Sequence, residues 1–338
     1  MRGAIDATVL LFVLAFAMGT SRALAVTPEQ LRLSLHPNPD MLVASFVTLG
    51  AYSTLGALVK YGASPSTLNA TSRGTAASYV DDLCKNTTRT VYVVPFAAPR
   101  DAVTYYAVSA DGGSTWSATR NAVNFDPRKE DLQLSIFGDM AVNVPASSVP
   151  ALVNDTLQHR HDVVILNGDS AYNMDDQCGG VGDTFLNAVS AYAATTPTLY
   201  GPGNHETGPN YKYLEYTARL GAAQASLGAA SGSNSTEYYA AVIGRVFLVV
   251  ISADFYIYPL VWDRAGGQWA WLNKTLAGVE RSVTPWIVLA THRAMYCTKV
   301  ANDGECNSEA ETLRYGFLGL EYGLEQLLVQ YGVDLVFR

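Results

Sequence analysis

The sequence predicts an α/β protein in two parts: a sandwich of short β-strands, then an α/β sandwich with polar residues at the carboxyl ends of its strands. Two patterns predict this. Up to about Asn124, short apolar or alternating runs are separated by turn residues at regular spacing. From Leu132 onward, apolar strands alternate with helical segments. The chain has 338 residues, 49% of them hydrophobic, which is enough for two domains with sizeable cores. No internal repeat or low-complexity tract is present.

At the start, Arg2 precedes an apolar run from Ala7 to Met18 broken only by Thr8, and Ala23-Leu24-Ala25 is a small-x-small site. Residues 1–25 are therefore expected to be a cleaved signal peptide, leaving a secreted mature form with no membrane span. Five Asn-x-Ser/Thr sequons, at Asn69, Asn86, Asn154, Asn234 and Asn273, are candidate surface glycans. Cys297 and Cys306 flank the polar loop Thr298 to Glu305, and a disulfide is expected there in an oxidising compartment. Cys84 and Cys178 either pair or stay free. No CxxC spacing supports a metal role for these cysteines. The net charge is −8 and no basic run stands out, so nucleic acid is not an expected partner.

The first part, residues 26–124, reads as strands at Leu31–Leu35, Met41–Val47, Ala57–Tyr61, Thr88–Phe96 and Ala102–Ser109. It carries no catalytic cluster and is read as a scaffold. Asn124 to Asp131 is read as the linker, so the second part spans 125–338. Helices are expected at Val149–His159, Gly182–Ala193, Tyr211–Leu220 and Gly267–Leu276. In the second of these, Phe185, Leu186 and Val189 share a face; in the last, Trp269, Trp271 and Leu272 are expected to be core. Val246–Ile251 is the centre of a second sheet. His159 and His161 precede a strand, on the side away from its carboxyl end, and are expected on the surface.

The chemistry is concentrated at strand ends. Val163-Val-Ile-Leu166 leads into Asn167-Gly168-Asp169 and Tyr172; Leu132 to Phe137 leads into Gly138-Asp139. Thr198-Leu-Tyr200 leads into Gly201-Pro-Gly-Asn204-His205-Glu206, and Trp286 to Ala290 into Thr291-His292-Arg293. Ligands of α/β sheets bind at the carboxyl ends of the strands. Carboxylate, carboxamide and imidazole groups suit first-row metal ions, and several converging at one sheet edge is what a two-metal site needs.

In order and spacing, Gly138-Asp139, Gly168-Asp-Ser-Ala-Tyr172, Gly203-Asn-His-Glu206 and His292-Arg-Ala-Met-Tyr-Cys297 resemble the motifs of purple acid phosphatases, metallophosphoesterases of the calcineurin-like fold. Asp101 to Val108 and Gly113-Ser-Thr-Trp116 resemble that family's fibronectin-type-III-like N-terminal domain. The resemblance implies Asp139 and Tyr172 on a ferric ion, Asp169 bridging, and Asn204 and His292 on a divalent ion (Zn, Mn or Fe). It implies that His205 contacts phosphate and assists the leaving group. The expected reaction is hydrolysis of phosphate monoesters by a metal-bound hydroxide. Tyrosine has a pKa of ~10, so only a highly charged ion holds it as phenolate in acid. The acidic chain disfavours polyanions, so small phosphate esters are the expected substrates.

Two departures from the family pattern stand out. Asp139-Met-Ala141 has Ala where the family has Gly; at positive φ this costs ~1 kcal/mol. The last strand, Gly332 to Arg338, stops where the family has a Gly-His-x-His turn giving one histidine to each metal, and the remaining His36, His159 and His161 lie outside the motifs. The calcineurin-like domain is therefore expected to be truncated at its C-terminus. Two alternatives stay open: an inactive secreted glycoprotein that keeps the fold, and a phosphodiesterase or nucleotide hydrolase.

Overall fold

The computed structural model describes residues 27–50, 56–100, 102–129, 131–141, 148–233, 235–297, 304–317 and 321–338. The expected signal peptide and the Asn234 sequon lie outside these residues.

The first part contains β1 (Glu29–Leu35), β2 (Met41–Leu49), β3 (Leu58–Gly62), β4 (Ala70–Arg73), β5 (Thr75–Val80), β6 (Thr88–Ala97), β7 (Val103–Ser109) and β8 (Arg120–Val123). They form two antiparallel sheets, ordered β1-β2-β6-β5 and β4-β3-β7-β8. The alternation of β2 and β6 buries Leu42, Ala44, Phe46, Tyr92, Val94 and Phe96 between them. The short, polar strands β4, β5 and β8 carried too little apolar pattern to be expected from sequence.

The second part contains β9 (Leu134–Phe137), α1 (Val149–Leu157), β10 (Val163–Asn167), α2 (Gly180–Ala193), β11 (Thr198–Gly201), α3 (Ala225–Ala230), β12 (Tyr239–Ile243), β13 (Val246–Val250), α4 (Asp254–Ile257), α5 (Trp262–Ala277) and β14 (Trp286–Ala290). It closes with α6 (Gly304–Tyr315), the hairpin β15 (Gly316–Phe317) and β16 (Glu321–Tyr322), α7 (Leu324–Gln330) and β17 (Leu335–Phe337). One sheet is parallel, in the order β11-β10-β9; the other runs β12-β13-β14-β17, with only the β12–β13 pair antiparallel. Alternate residues separate two layers. Val163, Ile165 and Leu199 join Leu248, Val250, Val288 and Ala290 between the sheets. Val164 and Leu166 pack with Phe185, Leu186 and Val189 of α2. The layer between the sheets is continuous with the core of the first part. The carboxyl ends of β10 and β14 meet, because Asn167 Nδ2 donates to Thr291 O at 3.0 Å, and β9 and β11 run parallel to β10.

Three expectations need correction. Tyr211–Leu220 is not one α-helix: Pro209–Tyr211 is a 3-10 turn with Asn210 at positive φ, and Tyr216–Leu220 is a π-helical turn. The wider turn lets Tyr216 and Arg219 both be buried, and the Tyr216 hydroxyl reaches Tyr200 O at 2.9 Å. His161 is not on the surface: it is 6% exposed and its Nε2 lies 2.9 Å from Thr156 Oγ1, whereas His159 is exposed. The linker begins inside the core, because Asn124 Nδ2 donates to Pro39 O and Ala98 O and Phe125 is buried.

The two parts are joined by buried charges. Asp183 of α2 accepts from Arg89 Nε and Nη2 (2.9 and 2.6 Å), Arg219 Nη1 (2.8 Å) and Gln30 Nε2 (2.8 Å). Glu215 takes Arg219 Nε at 2.6 Å and the Tyr79 hydroxyl at 2.8 Å. Burial opposes charge on Asp183, but the Arg89 hydrogen bond and the two guanidinium charges outweigh it and hold its pKa below the usual range. Nearby, Cys84 and Cys178 form a disulfide; Cys297 and Cys306 form the other. Arg219→Met would leave buried carboxylates short of a partner and is expected to cost about 3–5 kcal/mol, read from urea denaturation. A loss under about 1 kcal/mol would show that Arg219 is not needed to hold Asp183 and Glu215 where the first part meets them.

Candidate metal centre

Two of the parallel strands, β9 and β10, hand their aspartates over through a left-handed residue. Asp139 (φ 55°) follows β9 and Asp169 (φ 50°) follows β10, with Tyr172 (φ 51°) and Asn173 (φ 75°) next along the same loop. Ala141 also has positive φ (38°), so the strain foreseen for that position is present. Non-glycine residues in this region are strained, and such strain concentrates at functional sites. The ladder continues past the strands to hold them: Asp139 N, Met140 N and Ala141 N donate to Gly168 O, Asp169 O and Ser170 O at 3.0–3.2 Å.

Ligand-type atoms of Asp139, Asp169 and His292 all lie within 4.8 Å of one another. The Tyr172 hydroxyl donates to Asp139 Oδ1 at 2.5 Å, and His292 Nε2 stands 3.3 Å from Asp169 Oδ2. The His292 ring is turned by its Nδ1, 3.1 Å from Asn167 O. Two glycines make the approach possible. A Cβ on Gly168 (φ 88°) would meet the His292 ring at 2.7 Å, and one on Gly203 would lie 2.4 Å from Asp169 Oδ1 and 2.9 Å from His292 Cδ2. Asn204, next to Gly203, starts a 3-10 turn on this wall. His205 N donates to Asp169 Oδ1 at 3.0 Å; its ring has Nδ1 2.8 Å from Asn173 Oδ1, Nε2 3.8 Å from Asp169 Oδ2, and its centroid 4.7 Å from that of Tyr172.

Protonation follows from crowding of acceptors. Burial opposes charge on His292, but the hydrogen bond and charge of Asp169 outweigh it and push the imidazole up to about 9. Burial raises the Tyr172 phenol, and the Asp139 hydrogen bond and neighbouring carboxylates raise it further. Both groups thus hold a proton against a carboxylate oxygen, Tyr172 against Asp139 and His292 against Asp169, where a cation would serve the same acceptors. The donor set fits metal binding on that ground.

Two further residues, to which the sequence alone assigns no role, belong to the surroundings of the centre. Glu206, 3% exposed, accepts from Asp169 N, Ser170 N and Gly203 N, each at 2.8 Å. It ties the Asp169 turn to the Asn204 turn. Asp254 is 1% exposed, and burial pushes its carboxyl up to about 7 against the charge of Arg293. It follows the apolar strand β13, the same strand-then-Asp signal that marked Asp139 and Asp169. Outside the centre, Asn69, Asn86 and Asn154 are exposed, and Asn273 is half-buried with Oδ1 accepting from Tyr331. Glu206→Ala would leave three buried N–H groups without an acceptor, at about 1–3 kcal/mol each, so a loss of at least about 3 kcal/mol is expected in denaturant melts of the metal-free protein. A loss below about 1 kcal/mol would show that the two turns hold without it.

Comparison with known proteins shows the family and the fold. Residues 132–338 match the calcineurin-like phosphoesterase family. The chain is 31% identical over 336 residues to acid phosphatase type 7 of Homo sapiens, covering 96% of this chain and 72% of that protein. It is 32% identical to the Mus musculus protein of the same name, over 92% of this chain and 69% of that one. Among solved structures, a purple acid phosphatase from yellow lupin (Lupinus luteus) seeds superposes with a TM-score of 0.65 at 16% identity, covering 92% of this chain and 58% of that one, which shows a shared fold. The chain belongs to the calcineurin-like phosphoesterase family and is a homologue of acid phosphatase type 7 and the purple acid phosphatases.

Proposed function

We propose that this protein is a secreted purple acid phosphatase that hydrolyses small phosphate monoesters at a dinuclear centre of Fe(III) and a divalent ion (Zn, Mn or Fe). The observation that carries the reading is the Tyr172 hydroxyl at 2.5 Å from Asp139, beside the Asp169–His292 contact. A phenol aimed into a carboxylate cluster is the feature that separates the purple group from other metallophosphoesterases. Asp139 and Tyr172 would hold the ferric ion, Asn204 and His292 the divalent one, and Asp169 both. When bound, the cations would acidify a water for attack in acid and neutralise the phosphate charge.

The chain's own residues do the rest. Gly168 and Gly203 let the ligands close up. Glu206 fixes the turns that present Asp169 and Asn204. His205 is fixed through Nδ1–H to Asn173 Oδ1, with a third of its side chain exposed, and as the imidazolium would donate Nε2–H to a phosphate or leaving-group oxygen. The net charge of −8 favours small esters over polyanions.

The first test is phosphate release at acidic pH from an aryl monoester and from a bis-aryl diester, using protein refilled with iron and zinc. Monoester hydrolysis is expected; diester hydrolysis alone, or none, would overturn the reading. Tyr172→Phe is expected to abolish the visible tyrosinate-to-iron absorption and to lower activity by about 10–100-fold. An unchanged spectrum would remove Tyr172 from the metal. Metal uptake near pH 7 is expected to release protons from both Tyr172 and His292, and uptake should tighten as pH rises toward the His292 value of about 9. A pH-stat titration that records no release would contradict this ligand set.

A further inference from the structure

The carboxyl end of β13 adjoins the metal centre, since β13 pairs in parallel with β14, whose end leads to His292. That end leads to Asp254. Neither Asp254 oxygen has a hydrogen-bond partner among the described residues. A buried carboxylate in that state is costly unless a positive charge lies close. Arg293 supplies it: its Nε stands 3.7 Å from Asp254 Oδ1 and makes no hydrogen bond of its own among the described residues.

Arg293 directly follows His292. Its Nη1 donates to Glu309 Oε2 of α6 at 3.0 Å, and its Nη2 to the Tyr258 hydroxyl at 2.8 Å. One guanidinium is thus held by α4, by the residue just after it, and by α6. With two carboxylates around one cation, the cluster carries excess negative charge when both are ionised. That surrounding does not suit a receptor for a phosphate dianion. It suits an anchor, because an ion pair in a low-dielectric interior is stiff, and removing one partner leaves the other uncompensated.

We propose that Asp254 and Arg293 are a positioning pair for His292. The ring of His292 is turned by Asn167 O, and the backbone just after it is pinned by Arg293 to α4 and α6. Together they keep Nε2 aimed at Asp169 and the metal-ligand set. This rests on the metallophosphatase reading for the role of His292.

Arg293→Met, Arg293→Lys and Asp254→Asn test it, with zinc affinity measured by competition with a chromophoric chelator, unfolding temperature, and kcat and KM on an aryl phosphate. Arg293→Met is expected to weaken zinc binding by about tenfold and to lower kcat by a similar factor. KM should change by less than about threefold. Arg293→Lys keeps the charge beside Asp254 but not the fork to Glu309 and Tyr258, and is expected to restore part of the affinity. Asp254→Asn preserves shape and is expected to weaken zinc in the same direction; it decides the matter if Arg293→Met does not fold. Wild-type zinc affinity in Arg293→Met, or in Asp254→Asn, overturns the proposal even if the unfolding temperature drops, because a merely structural pair would move only that temperature. A wild type that binds zinc but releases no phosphate would instead defeat the phosphatase reading, and the zinc comparison would still decide the role of the pair.

Discussion

Glu206 accepts hydrogen bonds from the backbone of Asp169, Ser170 and Gly203, and the placement of the metal-ligand groups depends on that one buried carboxylate. Burial and the charge of Asp169 push its pKa up, while the three N–H donors pull the other way. The donors come from two separate strand ends, so the carboxylate sets the distance between the Asp169 turn and the Asn204 turn. A water could not do this, because it would not hold three backbone donors with one rigid, anchored group. The glycines then decide how close the contents can come: Gly203 lies against Asp169 and His292, and Gly168 against the His292 ring.

The strain gathered at this point is held by the surrounding fold. Asp139, Ala141, Asp169, Tyr172 and Asn173 all have positive φ, which for such residues costs of the order of 1 kcal/mol each. The β9–β10 ladder carries the first of them, and the loop beyond Tyr172 runs to Cys178, which is bonded to Cys84 of the N-terminal sandwich. Arg89 and Arg219 also take the carbonyls of Cys178 and Gly179, at 2.8 and 3.0 Å. The N-terminal sandwich thus braces the Tyr172 loop directly, through Cys84 and Arg89, rather than only preceding the second part in the chain.

What could be read from the sequence was whatever repeats along it. Strand ends at Asp139, Asp169, Asn204 and His292 share one local signal, an apolar run followed by a polar turn; of these, Asp139, Asp169 and His292 bring ligand-type atoms within 4.8 Å of one another. The α/β alternation and the short-strand texture were visible for the same reason. What was not legible depends on partners distant in the chain. Glu206 looks like any polar turn residue until the amides it binds are known. Arg32, Arg89 and Arg219 carry no local signal of burial, yet all three are buried, because Asp183, Glu215 and backbone carbonyls meet them from other elements. His161 was misjudged likewise, since Thr156 and Ser135 supply its partners. The break in Tyr211–Leu220 arises from burying Tyr216 and Arg219 together, which helical periodicity does not encode.

The most direct test is anomalous scattering from crystals of the protein refilled with iron and zinc. A pair of neighbouring peaks astride Asp169, with iron beside Tyr172 and Asp139 and zinc beside His292 and Asn204, is the expected result. Metal bound elsewhere, or no peak while the Tyr172 hydroxyl still rests on Asp139, would contradict the claim that these converging strand ends form a dinuclear centre.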